Sequence, residues 1–94
     1  MPHILVHIKV RSFAQWKPAF DSHEATRKNI GSKGVQVFQS AEDPSEIFIL
    51  FEWDSVDNAK KFLASEDLKK AMEQGGVVEM HHVHFLTEAG KSNA

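Results

Sequence analysis

Ile47-Phe48-Ile49-Leu50-Phe51-Glu52-Trp53 is the stretch of this sequence that decides the fold. Six of its seven residues are large and apolar, and most are β-branched or aromatic. An apolar run without alternation predicts a strand that is covered on both faces. One layer of helices can cover only one of those faces, so a second layer must cover the other.

Three further strands are predicted, two before the central strand in the sequence and one after it. His3 to Val10 alternates between apolar and other residues, which is typical of a strand with one apolar face. Val35 to Gln39 is a weaker strand, and the turn residues 41–45 join it to the central strand as a hairpin. Val77 to Leu86 is the last strand.

The first helix is harder to place because it contains a proline. Ser12, followed three residues later by Gln15, matches a capping box. Pro18 would remove a hydrogen bond from a helix that begins there, but it suits the first turn of a later helix. We therefore expect an irregular turn at 13–16 and a regular helix over Lys17–Ile30.

The region after the central strand predicts two short helices instead of one. Val56, Ala59 and Phe62 share one helical face, and Leu68 and Met72 lie on another. A second helix is expected over 66–73. The order β-α-β-β-α-β predicts an α+β, ferredoxin-like fold, with a four-stranded antiparallel sheet and helices on one face.

The predicted domain covers residues 1–94, with a frayed polar tail over 88–94. The last strand carries apolar residues on both sides: Val77, Val83 and Phe85 on one, and Val78, Met80 and Leu86 on the other. The sheet of a second copy is the simplest cover for the open face. We therefore predict a homodimer that forms a dimeric α+β barrel.

Composition excludes several classes of function. The net charge is −2, with 11 basic and 13 acidic residues dispersed along the chain, so neither a nucleic-acid surface nor a membrane surface is expected. The chain has no cysteine, which excludes disulfides and thiolate chemistry. The N-terminus carries no signal-peptide pattern, and we expect a cytoplasmic protein.

The sequence resembles the dimeric α+β barrel superfamily, and within it the proteins similar to antibiotic biosynthesis monooxygenases. The resemblance covers nearly the whole chain and rests on Trp16, Phe20, His23, Arg27 and Gly31, on Asp43-Pro44, on Glu52-Trp53, and on Phe62-Leu63-Ala64-Ser65. The resemblance implies a homodimer. The superfamily includes cofactor-free monooxygenases that act on phenolic polyketides. Haem-degrading members carry a haem-ligating histidine on the helix after the central strand, but residues 56–73 contain none.

His23 and Arg27 are the residues most suited to chemistry. Together with Phe20 and Ile30 they fall on the helical stripe that faces the sheet, where a core would ordinarily hold aliphatic residues. A permanent positive charge beside His23 disfavours its imidazolium form, so His23 would act as a neutral base. Arg27 would stabilise an oxyanion formed from a phenol or enol. Alternatively, His23 caps a strand carbonyl and Arg27 reaches an acidic neighbour such as Glu24.

Aromatic residues supply the expected ligand contacts. Trp16, Phe20 and Trp53 would form walls for a flat ligand, although a tryptophan in a small domain more often belongs to the core. The leading hypothesis is a cofactor-independent monooxygenase that acts on a small, flat, acidic or aromatic ligand. The alternative is a non-catalytic dimeric protein of the same fold that binds a small ligand or serves in a stress response.

The remaining histidines form a weak metal-binding pattern. His81, His82 and His84 lie close together in the last strand, His82 and His84 share one of its faces, and His7 lies on the strand beside it. Metal sites need several converging ligands, and no carboxylate accompanies these side chains in the sequence. We therefore interpret them as rim or interface histidines, and we expect no bound metal and no cofactor.

Overall fold

A computed structural model describes residues 2–93 of the chain. In chain order the elements are β1 (His3–Val10), α1 (Phe13–Ser22), α2 (Glu24–Ile30), β2 (Ser32–Gln39), β3 (Glu46–Trp53), α3 (Val56–Leu63), α4 (Glu66–Gln74) and β4 (Val77–Leu86). No helix or strand follows Leu86 within the described residues. Met1 and Ala94, at the ends of the predicted domain and tail, lie outside that range.

The four strands form one antiparallel sheet in the order β2-β3-β1-β4. This order and the helical crossovers give the predicted ferredoxin-like α+β fold. β3 occupies an interior position between β2 and β1. Within residues 2–93, no helix is long and apolar enough to cross a membrane.

The two faces of the sheet are covered to different degrees. β1 and β3 both bury every second side chain, and those buried residues pack with the helices into one core. The largest fully buried side chains of that core are Trp53, Ile4, Ile47 and Val10. On the face without helices, Leu5, Phe48 and Leu50 are only partly buried. We call this the open face.

The expected start of the first helix was wrong. α1 begins directly after Ser12, whose Oγ accepts a hydrogen bond from the Gln15 backbone N–H at 3.0 Å. Pro18 lies inside α1, which tolerates the one missing backbone donor. The helix also ends early: Ser22 Oγ donates to the Ala19 carbonyl at 2.7 Å, and residue 23 leaves the helical conformation. The single helix expected over 17–30 is therefore two helices.

The expected faces of β4 were also wrong in part. β4 pairs with β1 through two irregularities, because His82 pairs with His7 while Met80 pairs with Ile8, and the intervening His81 is skipped. A second irregularity skips Val78. Such bulges reverse the alternation of side chains beyond them. Met80 therefore lies on the helix-covered face, opposite to the side that strict alternation predicted.

The remaining helices were predicted well. Ser55 caps α3 by accepting from the Asn58 N–H at 3.1 Å, and Ser65 caps α4 by accepting from the Leu68 N–H at 3.2 Å. These two caps explain why the region forms two helices with different apolar faces. α4 buries none of its side chains fully, although Leu68 packs against the core.

Candidate functional site

The stripe predicted on the first helical segment faces the sheet, although it is divided between α1 and α2. Trp16 is buried, Phe20 and His23 are partly buried, and Arg27 is only 5% exposed. Trp16 and Phe20 stack with ring centroids 4.7 Å apart. The aromatic row continues to Phe51 on β3, 6.1 Å from Phe20.

This stripe borders a small cavity between the helices and the sheet. Its volume is about 50 Å³. Its lining includes Trp16, Phe20, His23, Arg27, Asp67 and Met72. The rest of the wall is mostly aliphatic or aromatic and comes from the sheet, α3 and α4. The structure therefore brings four of the five predicted site residues, all except Trp53, to one cavity.

His23 lies at the junction of α1 and α2. It is the C-cap of α1 and the N-cap of α2, with φ −100° and ψ 12°. Its imidazole Nε2 lies 3.3 Å from Gln74 Oε1, at the end of α4. The predicted alternative, a hydrogen bond to a strand carbonyl, does not match this geometry. The junction places a partly exposed imidazole at the mouth of an apolar cavity.

Arg27 is held by the same junction. Its Nη1 donates a hydrogen bond of 2.6 Å to the Phe20 carbonyl, and its guanidinium carbon lies 3.9 Å from the centre of the Phe20 ring. Glu24, the acidic neighbour proposed from the sequence, lies 3.7 Å from Lys28 instead. Burial lowers the pKa of Arg27, and the charges of Glu24 and Asp21 oppose this shift.

Arg27 also lines a second, more polar cleft between α2 and β2. This cleft has a volume of about 230 Å³, and Lys28, Lys33 and Glu24 contribute to its wall. Arg27 thus separates an apolar cavity from a charged cleft. A guanidinium has five N–H donors, so a bond to one carbonyl leaves donors for an anion on either side.

Trp53 does not line the cavity. It is completely buried and packs against Phe62, with ring centroids 5.0 Å apart, and against Phe51. Its indole N–H is buried and has no hydrogen-bond partner among the described residues. The geometry places Trp53 in the core, one aromatic ring removed from the cavity.

Two polar lining residues were not predicted from the sequence. Thr26 comes three residues after His23, so the helical spacing used for His23 and Arg27 could have identified it. Asp67 lies in the first turn of α4, where an acidic residue is ordinarily interpreted as a favourable helix-dipole interaction. Its position beside the cavity depends on how α4 packs against α1, which periodicity does not reveal.

The histidines of β4 are divided between two arrangements. His82 and His84 stack with ring centroids 5.7 Å apart. Within residues 2–93, neither belongs to a group of three potential metal ligands. His81 instead lies beside His7, with ring centroids 4.6 Å apart.

The family model described as "Antibiotic biosynthesis monooxygenase" matches residues 5–74, which is most of the chain. The chain belongs to this family. The antibiotic biosynthesis monooxygenase fold is a dimeric α+β barrel, and the ferredoxin-like sheet described above has the arrangement expected of a single subunit of that fold. No protein of curated function matches the sequence significantly.

Several solved structures have the same fold as this chain at low sequence identity. A Bordetella bronchiseptica protein named for the family is 20% identical with a TM-score of 0.80, covering 94% of this chain and 96% of its own. SnoaB, a cofactor-independent oxygenase from Streptomyces nogalater, is 12% identical with a TM-score of 0.78, covering 99% and 97%. Rv0793 from Mycobacterium tuberculosis is 12% identical with a TM-score of 0.70, covering 98% of both chains. These similarities establish the fold alone.

Proposed function

We propose that this member of the antibiotic biosynthesis monooxygenase family is a cofactor-independent oxygenase that acts on a small, flat phenol or enol. The observation that carries the proposal is the convergence of His23 and Arg27 on one aromatic-walled cavity. An imidazole and a buried guanidinium are a base and an anion partner. Trp16 and Phe20 supply the aromatic wall for a flat ring.

In the proposed reaction His23 Nε2 accepts the proton of the substrate hydroxyl group. The guanidinium of Arg27 stabilises the oxyanion, whose electron pair is delocalised onto a ring carbon. That carbon transfers electrons to O₂ and forms a carbon–oxygen bond. His23 returns its proton to the resulting peroxide, and loss of water from the hydroperoxide breaks the O–O bond and leaves a carbonyl group on that carbon. Because the enol is the tautomer of a ketone with a conjugated methylene group, the overall reaction converts the methylene group and O₂ into a carbonyl group and water, with O₂ as the oxidant.

The cavity must widen to admit such a substrate. Its volume of about 50 Å³ is far below the ~300 Å³ or more of typical small-molecule sites. α4 is the element best suited to move, because none of its side chains is fully buried. Met72 lines the cavity from α4, and methionine side chains adapt readily to a new neighbour. We propose that ligand binding displaces α4 from α1.

We further propose that the protein functions as a homodimer. The open face leaves apolar side chains such as Phe48 and Leu50 partly exposed in a single chain. The sheet of a second copy would cover them, as the family fold implies. The cavity lies on the opposite side of the sheet, so each chain would carry its own reaction site.

A non-catalytic ligand-binding protein is the second candidate. The hydrogen bond from Arg27 to Phe20 supports it, because this bond explains a buried arginine by its role in the helix junction alone. In that case the cavity would bind a flat ligand without consuming O₂.

Replacing His23 tests the proposed chemistry. A hydroxyanthrone, which is flat, phenolic and oxidisable at a methylene carbon, is the probe, and O₂ consumption is the readout after subtraction of the spontaneous rate. His23→Phe should lower kcat/KM by roughly 10²–10⁴-fold, the usual contribution of a general base. Its melting temperature should change little, because His23 makes only one long side-chain hydrogen bond.

Gln74→Ala is the matched control. It removes the partner of His23 but leaves the imidazole in place, so most activity should remain. A wild-type protein that the probe stabilises thermally without O₂ consumption would favour the non-catalytic alternative. Equal activity of His23→Phe and the wild-type protein would exclude His23 as the base.

A further inference from the structure

The open face carries a group of three side chains that the proposed oxygenase chemistry does not use. His7 comes from β1, Glu46 from the start of β3, and His81 from β4. Each residue offers one potential ligand atom, and these three atoms all lie within 4.8 Å of one another. The side chains are about one quarter exposed, at 23%, 21% and 26% respectively. Within one chain the group is therefore partly enclosed, and the proposed second copy would lie over the same face.

The β-bulge assembles this group. His81 is the residue skipped in the pairing of β4 with β1. A skipped residue is released from strict alternation, and its side chain can turn to the same face as the next residue. His81 thereby lies beside His7, where a regular strand would have directed it to the helix-covered face.

Glu46 is placed by the turn that precedes β3. The Asp43 carboxylate accepts hydrogen bonds from the Ser45 backbone N–H at 3.0 Å and from Ser45 Oγ at 2.7 Å. These bonds lower the pKa of Asp43. The Glu46 backbone N–H donates to the Asp43 carbonyl at 3.0 Å, so the closed turn fixes the start of β3.

We propose that His7, Glu46 and His81 form a binding site for a divalent transition-metal ion such as Zn²⁺. Two imidazoles and a carboxylate are common ligands of Zn²⁺, and three protein ligands leave a position for water. Ligands at ~2.0–2.1 Å from a tetrahedral ion lie about 3.3 Å apart. The distance from His81 Nε2 to Glu46 Oε2 is already 3.4 Å. The distance from His7 Nε2 to Glu46 Oε2 is 2.6 Å and would lengthen as the ion replaces the hydrogen bond.

The surroundings of the two histidines match those of metal ligands. His81 Nδ1 lies 3.7 Å from the Glu79 carboxylate, so a negative charge stands beside the ring without a direct hydrogen bond to it. His7 stacks on Phe48 with centroids 4.2 Å apart and planes 12° apart, so its ring is held from one side. The site lies across the sheet from the cavity, and it does not depend on the proposed oxygenase function.

Titration of metal-free, untagged full-length protein with Zn²⁺ by isothermal calorimetry tests the site. We expect saturable binding of about one ion per chain, and Co²⁺ bound in its place should show visible absorption bands typical of low coordination number. Glu46→Gln and His81→Ala should each weaken Zn²⁺ binding by at least about tenfold, since even residues that only orient ligands contribute that much.

His84→Ala is the control, because it removes a histidine from the same strand and the same face without touching the group. Its affinity for Zn²⁺ should equal that of the wild-type protein. A loss of binding in His84→Ala as large as that in His81→Ala would overturn the assignment. The absence of saturable binding to the wild-type protein would also overturn it, and His7 and Glu46 would then be a hydrogen-bonded pair only.

Discussion

The two faces of the sheet belong to the same strands but differ in how deeply their side chains are buried within one chain. On the helix-covered face, the β3 residues Ile47, Ile49, Phe51 and Trp53 are at most 4% exposed. On the open face, their immediate neighbours Phe48 and Leu50 remain partly exposed. The β3 side chains on the helix-covered face are buried in the core, so substitutions of these residues change the stability of the fold. In the proposed homodimer a second copy covers the open face, so we expect substitutions there to act on assembly.

Phe51→Lys should have the largest effect. Phe51 is 3% exposed and contacts the rings of Phe20, Trp53 and Phe62. Removal of a buried phenylalanine costs about 3–5 kcal/mol, and an unpaired buried charge adds to this. Total domain stability is only about 5–15 kcal/mol, so the variant should be largely unfolded by circular dichroism. A cooperative melt near that of the wild-type protein would contradict the assignment of Phe51 to the core.

Leu50→Lys should leave the chain folded but prevent dimer formation. Leu50 lies one residue earlier and on the open face, where a charge remains in water when the chain is monomeric. Light scattering after size exclusion should give a mass near the 10.6 kDa of one chain, against twice that for the wild-type protein. Gln36→Lys is the control: Gln36 pairs with Leu50 on the same face but is already polar and exposed. A wild-type monomer would show that the open face is not covered by a second copy.

Arg27→Met should have the smallest effect. The substitution keeps an unbranched apolar side chain but removes the donor to the Phe20 carbonyl, and it should cost about 1–2 kcal/mol of unfolding free energy. Denaturant titration measures this difference. Lys28→Met changes an exposed neighbour on α2 and should cost less than ~0.5 kcal/mol. Equal or greater stability of Arg27→Met would show that the hydrogen bond to the Phe20 carbonyl does not stabilise the helix junction.

The architecture was predictable because it depends on patterns of burial that the sequence records directly. The order of the predicted elements gave the ferredoxin-like sheet, and the alternation of β1 predicted a strand with the observed bounds. The stripe through Trp16, Phe20, His23 and Arg27 predicted four residues around one cavity. In each case hydrophobic spacing within one segment determines which side chains face inward.

The details of the site depend on local hydrogen bonds that spacing does not record. The helix junction at His23 arises because Ser22 occupies the Ala19 carbonyl and Arg27 occupies that of Phe20. The bulge at His81 reverses the faces of Met80 and His81, so strict alternation along β4 assigned Met80 to the wrong face. The same bulge explains why Glu46 was not associated with the histidines. Glu46 lies on a different strand, and its neighbour His81 would face the helices if β4 alternated strictly.

The bulges of β4 have a further consequence for solubility. β4 is the edge strand beside β1, it spans ten residues, and its sequence is largely apolar. A straight strand of this kind presents a continuous row of free backbone donors and acceptors to which another molecule can add its own strand. The skipped residues Val78 and His81 interrupt that row at two points. An interrupted row offers an added strand fewer consecutive hydrogen bonds, so we expect the bulge at His81 to disfavour pairing of another molecule with this edge.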